Sequence, residues 1–234
     1  MALFDLPRVP EPEVMDDSSE VEAYASAAAQ TFLDKIDRTF VEHAFRLLGG
    51  KERGRALDIG CGPGQIVLKL AQRLKLWKFV GIDRSAAMIK EACSNLAEVA
   101  EAAGRVDFHI DNGNHLAFPD ASFDLVMCNS VLHHLVEPKN LLAEMARVGK
   151  PGAAILLRDL RRPGMLAYPL HVRWYGRRYS GAMYKLYKDS VRAAYTVSEL
   201  ESLLASSPLH GGHVFTHHST HLGIERPRSS RSGR

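Results

Sequence analysis

The 234-residue sequence predicts an α/β fold, a doubly wound and mainly parallel sheet with helices on both faces. Three observations predict it. Short apolar runs recur along the chain, as strands buried on both faces require. Between them lie segments with apolar residues three or four positions apart, the spacing of amphipathic helices. A glycine-rich turn follows the first run, where an open parallel sheet binds its ligands.

The elements follow in order. Residues 1–17, rich in proline and acids, read as a flexible N-terminus. An N-terminal helix is expected from Ser18 to Leu48: Phe32, Ile36, Phe40 and Ala44 fall four apart, and Gly49 and Gly50 stop it. Strand "RALDI" leads into helix "GQIVLKLAQRL", and strand "KFVGID" into a helix over 85–104, with Ser85 as its N-cap and Gly104 as its stop. "VDFHI" and "FDLVMCN" are strands, "NLLAEMARV" a helix and "GAAILLRDL" a fifth strand. Residues 161–195 break this rhythm. Met183, Leu186, Tyr187 and Val191 have helical spacing there, so one or two helices are expected. "TVSELESLLASS" is a helix opened by a capping box, Thr196 with Glu199 or Ser198 with Glu201. One or two strands follow in "HVFTHHSTHLGIER", and 227–234 read as a disordered basic tail. Residues 18–226 thus read as a single domain.

Bulk properties narrow the function classes. No apolar run approaches the roughly 20 residues of a membrane span, and the first residues lack a secretory pattern, so a cytoplasmic protein is expected. Three well-separated cysteines, Cys61, Cys93 and Cys128, suit reduced, buried thiols rather than disulfides or zinc. The net charge of +3 conceals a partition. Residues 161–195 hold eight basic side chains against one acid, Asp189, and the tail is basic too, so the rest is acidic.

The turn lies in "ALDIGCGPGQ". Gly60, Gly62 and Gly64 alternate, whereas a dinucleotide turn, G-x-G-x-x-G, would place its last glycine at Gln65. No Lys-Ser/Thr pair follows, as a P-loop requires. Asp58 precedes the turn, and a carboxylate there repels a pyrophosphate but suits a cation. An ammonium and a sulfonium on one ligand fit that charge.

These residues bring out a resemblance. "LDIGCGPG", "GIDRSAAMIKEA", "HLAFPDASFDLVMCNSVLHHLVEP" and "LLAEMARVGKPGAAILLRD" resemble, in order and spacing, the motifs of class I S-adenosylmethionine-dependent methyltransferases. They are most similar to the small-molecule branch related to the ubiquinone/menaquinone C-methyltransferases. The resemblance runs from about Arg55 to Asp159 and implies a seven-stranded Rossmann-like sheet with a helical lid insert over 161–195. It implies S-adenosyl-L-methionine as cofactor, held by Asp58, Gly60, Gly62, Gly64, Asp83, Arg84, Met88, Asn112, Gly113 and Asn129. Asp58 would meet the amino group and also order the glycine loop, and Asp83 would meet the ribose hydroxyls. Asn112 stands where the family has an aspartate beside the adenine, and either Asp111 or Asn112 would make that contact. Tyr24 and the N-terminal helix would close over the cofactor, and Arg158, Asp159 and Arg161 would lie near the acceptor.

His133 and His134, after the fourth strand, are the candidate catalytic residues, since imidazoles titrate near neutrality; the plainer reading is packing at a strand-to-helix junction. No metal is expected. His213, His217, His218 and His221 tempt one toward a metal, but residues four apart on a strand are roughly 13 Å apart, so they read as a solvated cross-strand face. Six of the seven tyrosines and Trp174 sit in the basic block. A basic aromatic roof favours an aromatic or anionic small-molecule acceptor, or an acidic membrane surface. The alternatives are an RNA or DNA methyltransferase and a non-catalytic cofactor-binding protein. Nucleic acid is disfavoured, because "CNSVLHH" stands where "DPPY"-type tetrapeptides would. The sequence leaves the oligomeric state open.

Overall fold

The structure, a computed structural model, describes residues 6–11, 27–177, 179 and 181–229. Seven strands form one sheet: β1 (Arg53–Ile59), β2 (Leu76–Asp83), β3 (Val106–Ile110), β4 (Phe123–Asn129), β5 (Gly149–Leu160), β6 (His213–His217) and β7 (His221–Arg226). Their order is β3-β2-β1-β4-β5-β7-β6, with β1 to β5 parallel to one another and β7 antiparallel to both β5 and β6. The helices are α1 (Ala27–Leu48), α2 (Gln65–Arg73), α3 (Ala86–Ala97), α4 (Pro138–Val148), α5 (Tyr168–Gly176), α6 (Gly181–Ala193) and α7 (Val197–Ala205).

The strands alternate their side chains between two cores, as the pleat dictates. Ala56, Leu125, Met127, Ala154 and Leu156 point to one, with α1 and α2. Leu57, Ile59, Val126, Cys128, Ile155 and Leu157 point to the other, with α4 and α7. All are essentially fully buried, so a continuous apolar run is what a two-faced central strand needs.

The sheet reverses direction of growth between β1 and β4, which places the binding crevice at their carboxyl ends. Gly60 begins the turn there. Its φ is +71°, and a Cβ would lie 2.2 Å from the Val131 side chain, so only glycine fits.

Several expectations need correction. The helix from Ser85 ends at Ala97, and a short 3-10 turn at Ala100–Ala102 leads to Gly104, whose positive φ (+69°) marks a later turn. Ser85 caps it as expected, its hydroxyl accepting from the Met88 N–H. The box of α7 is Thr196 with Glu199. Within the expected flexible N-terminus, residues 6–11 are held: Leu6 is buried, and Val9 N–H donates to Arg192 O (3.0 Å). Within the expected disordered tail, Arg228 N–H donates to Leu47 O (3.0 Å) and Ser229 N–H to Gly152 O (3.1 Å). The remainder of both segments, and 18–26 of the expected first helix, lie outside the described residues. Cys93 is exposed, unlike Cys61 and Cys128.

Candidate active site

A cavity of about 1480 Å³ opens over the carboxyl ends of β1, β2 and β4. Gly60, Gly62, Asp83, Arg84, Met88, Asn112, Gly113, Asn129, His133 and His134 all line it. Gly64 does not. It caps α2, and a Cβ there would strike the Phe108 ring at 2.5 Å, so its role is helix-to-sheet packing.

Asp83 closes β2 and holds the glycine turn. Its Oδ2 accepts from Gly62 N–H and its Oδ1 from Ser85 N–H, both at 2.9 Å. The loop-ordering role expected of Asp58 therefore belongs to Asp83. Asp58 is fully buried, and neither carboxylate oxygen has a hydrogen-bond partner among the described residues. Burial, reinforced by Asp37 and Asp83, pushes its carboxyl up to about 7. Asp37 of α1 lines the cavity and is pushed up to about 6, mainly by burial, against the opposing pull of Lys69 and Arg158. Asp37 and Asp83 thus stand on the cavity wall with Asp58 buried close by, and a cation would relieve this cluster.

Beside β3, Asp111 and Asn112 build a tight turn. Asp111 Oδ1 accepts from Asn112 N–H (2.7 Å), and Asn112 Oδ1 accepts from Asn114 N–H (3.1 Å). Both residues and Gly113 face the cavity. A Cβ on Gly113 would lie 2.8 Å from Ile59, which keeps this wall close to β1.

The other end is built by residues from distant segments. His133 sits in a 3-10 turn (Leu132–His134) after β4, and Asp159 near the end of β5. Asp159 Oδ2 accepts from the His133 N–H (2.9 Å), and its Oδ1 lies 2.5 Å from His133 Nδ1. Burial alone would lower the His133 imidazole, but the Asp159 carboxylate outweighs it and holds it above its ordinary value. Burial likewise opposes ionisation of Asp159, and His133 prevails, keeping that carboxyl low. Glu11 reaches in from the N-terminal segment, with Oε2 3.7 Å from His133 Nε2 and 3.3 Å from His134 Nδ1. Burial pushes its carboxyl up to about 7. Arg8 anchors that segment, donating to Ala193 O (2.6 Å) and His133 O (3.0 Å).

Arg158 departs from expectation. It is not on the cavity wall but donates to Asn129 Oδ1 (3.1 Å), Thr39 Oγ1 (2.8 Å) and Ile36 O (3.0 Å), pinning α1 to the sheet. Arg161 makes an isolated bridge with Tyr195 instead. Tyr24 lies outside the described residues.

The late histidines are cross-strand as expected, but only His213 and His218 are exposed. His213 is exposed and paired with Glu225 (2.6 Å), but His217, His218 and His221 line the cavity. His217 and His221 sit opposite each other on β6 and β7. Burial presses them down to about 4 and about 3, so both are neutral imidazoles at neutral pH. Tyr175 of α5, Tyr179, and Leu186 and Tyr187 of α6 complete this wall.

Sequence reasoning missed Glu11 and Asp37. Glu11 sits in a segment without periodicity, far in sequence from its partners. Asp37 is next to Ile36 on the apolar face of α1, and that position was its one signal.

The strand order, with its antiparallel seventh strand and the glycine turn after β1, is Rossmann-like, as in solved methyltransferases of the same fold. The chain matches, over residues 57–157, the family model described as a methyltransferase domain. It is 27% identical over 181 residues to a ubiquinone/menaquinone biosynthesis C-methyltransferase of Geobacter sulfurreducens, covering 73% of this chain and 70% of that one. It is 30% identical over 123 residues to an uncharacterised methyltransferase of Schizosaccharomyces pombe, covering 51% and 44%. Apart from the Geobacter protein, the chain spans about half the length of the curated relatives it matches. Among solved structures it resembles a SAM-dependent methyltransferase from Aquifex aeolicus, with TM-score 0.66 and 20% identity over 89% of this chain and 97% of that one. Among the described residues, no helix is long and apolar enough to cross a membrane.

Proposed function

We propose that the chain transfers a methyl group from S-adenosylmethionine to a small aromatic acceptor bearing an ionisable hydroxyl. The cofactor, when bound, supplies a methyl made electrophilic by its sulfonium. Asp58 suits its ammonium, since a buried carboxylate without a partner lacks a cation. Asp83 suits its ribose, Asp111 or Asn112 its adenine edge, and Gly60, Gly62 and Asn129 the amino-acid portion. The cavity exceeds the usual range for one small ligand, roughly 300–1,000 Å³, and leaves room for an acceptor beside it.

The observation that carries the acceptor reading is His133 in the cavity wall, backed by the buried Asp159. With Nδ1 committed to Asp159, Nε2 is the nitrogen left to take a proton. Removing the hydroxyl proton makes the ring or its oxygen a better nucleophile. Tyr175, Tyr179, Tyr187 and the neutral His217 supply flat apolar surface for an aromatic ring. The naming of the Geobacter relative for ubiquinone/menaquinone biosynthesis agrees with a ring acceptor.

The test is single-turnover methylation, using labelled S-adenosylmethionine and a panel of phenols and hydroquinones. His133→Asn should lower the rate by about 10²–10⁴-fold while cofactor affinity stays within twofold. Wild-type turnover should rise with pH through a value above the ordinary histidine range, and the variant should lose that limb. Transfer at the wild-type rate by the variant rules out His133 as the base. Transfer to none of the panel rules out the acceptor class.

A further inference from the structure

We infer that the outer face of α5, with the turn leading into it, is a docking surface for an anionic lipid bilayer. Eight large hydrophobic side chains of the described residues are markedly exposed, and half lie within ten positions: Met165 (43%), Leu166 (75%), Leu170 (73%) and Trp174 (60%). The others, Val9, Leu76, Ile110 and Val136, are scattered over separate elements. Leu170 and Trp174 are four apart on α5, which stacks them on one helical face, and Leu166 stands in the turn just before it. The opposite face carries buried His171, Val172 and Gly176, so that side packs on the protein while the outer side is left uncovered. A contiguous exposed apolar stripe on a water-soluble surface marks an interaction site.

Charge selects the occupant. Arg173 and Arg177 flank the stripe and are exposed, and the Arg177 guanidinium stacks on the Trp174 ring at 4.0 Å. From Arg161 to Lys188 the sequence holds seven arginines and lysines and no acid. A second copy docking through this face would set those like charges against each other, because a two-fold interface pairs a patch with itself. An anionic bilayer meets both properties, taking leucines and tryptophan at the acyl boundary and arginines at the headgroups. Tyr175, on the same helix, lines the cavity, so docking would turn the acceptor end toward the lipid. The inference stands apart from the methyl-transfer reading, and its test needs no activity.

The test uses the full chain with phosphatidylcholine vesicles, with and without about one-third phosphatidylglycerol. Trp174 is the reporter, since the other tryptophan, Trp77, is fully buried. Wild type should co-sediment with the anionic vesicles, and brominated lipid should quench its fluorescence. Leu166→Glu/Leu170→Glu, which changes only exposed side chains, should keep its thermal midpoint and lose at least about tenfold in partitioning. Arg173→Glu/Arg177→Glu should lose the preference for phosphatidylglycerol. Three results overturn the inference: no binding to anionic vesicles, undiminished binding by the leucine variant, or a wild-type dimer that the leucine variant converts to monomer.

Discussion

At the scale of single residues, Asp58 separates what folding tolerates from what binding requires. Its carboxyl is buried among other carboxylates and raised to about 7, against an ordinary 3.8. A raised acid keeps its proton in the folded state while the unfolded state releases it. The stabilisation is therefore full below the ordinary value and is lost as pH rises toward 7. Between pH 5.5 and 8.5 this residue should cost the wild type roughly 2 kcal/mol. Asp58→Asn should flatten that dependence in urea unfolding, while weakening cofactor binding because the amide carries no charge. An equal pH dependence in both proteins would refute the assignment. Asp58 and Asp83 were legible in the sequence because a strand end followed by a glycine turn places them. Asp159 was expected near the acceptor, but its pairing with His133 was not foreseen, because two strand ends 26 positions apart meet only in the folded sheet.

At the scale of elements, the antiparallel β7 closes the end of the cavity proposed for the acceptor. Gly223 makes this possible: a Cβ there would lie 2.0 Å from the Leu157 carbonyl oxygen and 2.7 Å from the Phe215 ring. Gly223→Ala should therefore push β7 off β5, costing about 1–3 kcal/mol or more in denaturant unfolding. It should also displace His221 from the cavity wall. A variant with wild-type stability would show that β7 is not tightly constrained there. The parallel strands were easy to read because apolar runs between amphipathic helices leave few alternatives. The place of the late histidines in the cavity wall was missed because it depends on how a hairpin, turning at His218 to Thr220, sits against segments distant in sequence. The 85–104 helix was read too long, since its alanines favour helix throughout and nothing local marks the stop at Ala97.

At the scale of the whole molecule, one cavity joins two kinds of chemistry. One end has Asp37 and Asp83 on its wall, with Asp58 buried close by. The other gathers Glu11, His133, His134, Tyr175, Tyr179 and Tyr187. The N-terminal segment completes the second end through Arg8, which also stacks on the Tyr195 ring at 4.4 Å. A short stretch with no periodicity thus contributes a wall of the site. The motifs between Arg55 and Asp159 carry the fold and the cofactor end in local spacing. The acceptor end is assembled from segments far apart in sequence, so spacing alone does not disclose it.

The most direct measurement is calorimetric titration of the full chain with S-adenosylhomocysteine, the product form of the proposed cofactor. The account predicts one site per chain, and a loss of at least about 30-fold in affinity for Asp83→Ala, equivalent to about 2 kcal/mol. No binding heat up to about 1 mM ligand, or an unchanged affinity in the variant, would contradict it.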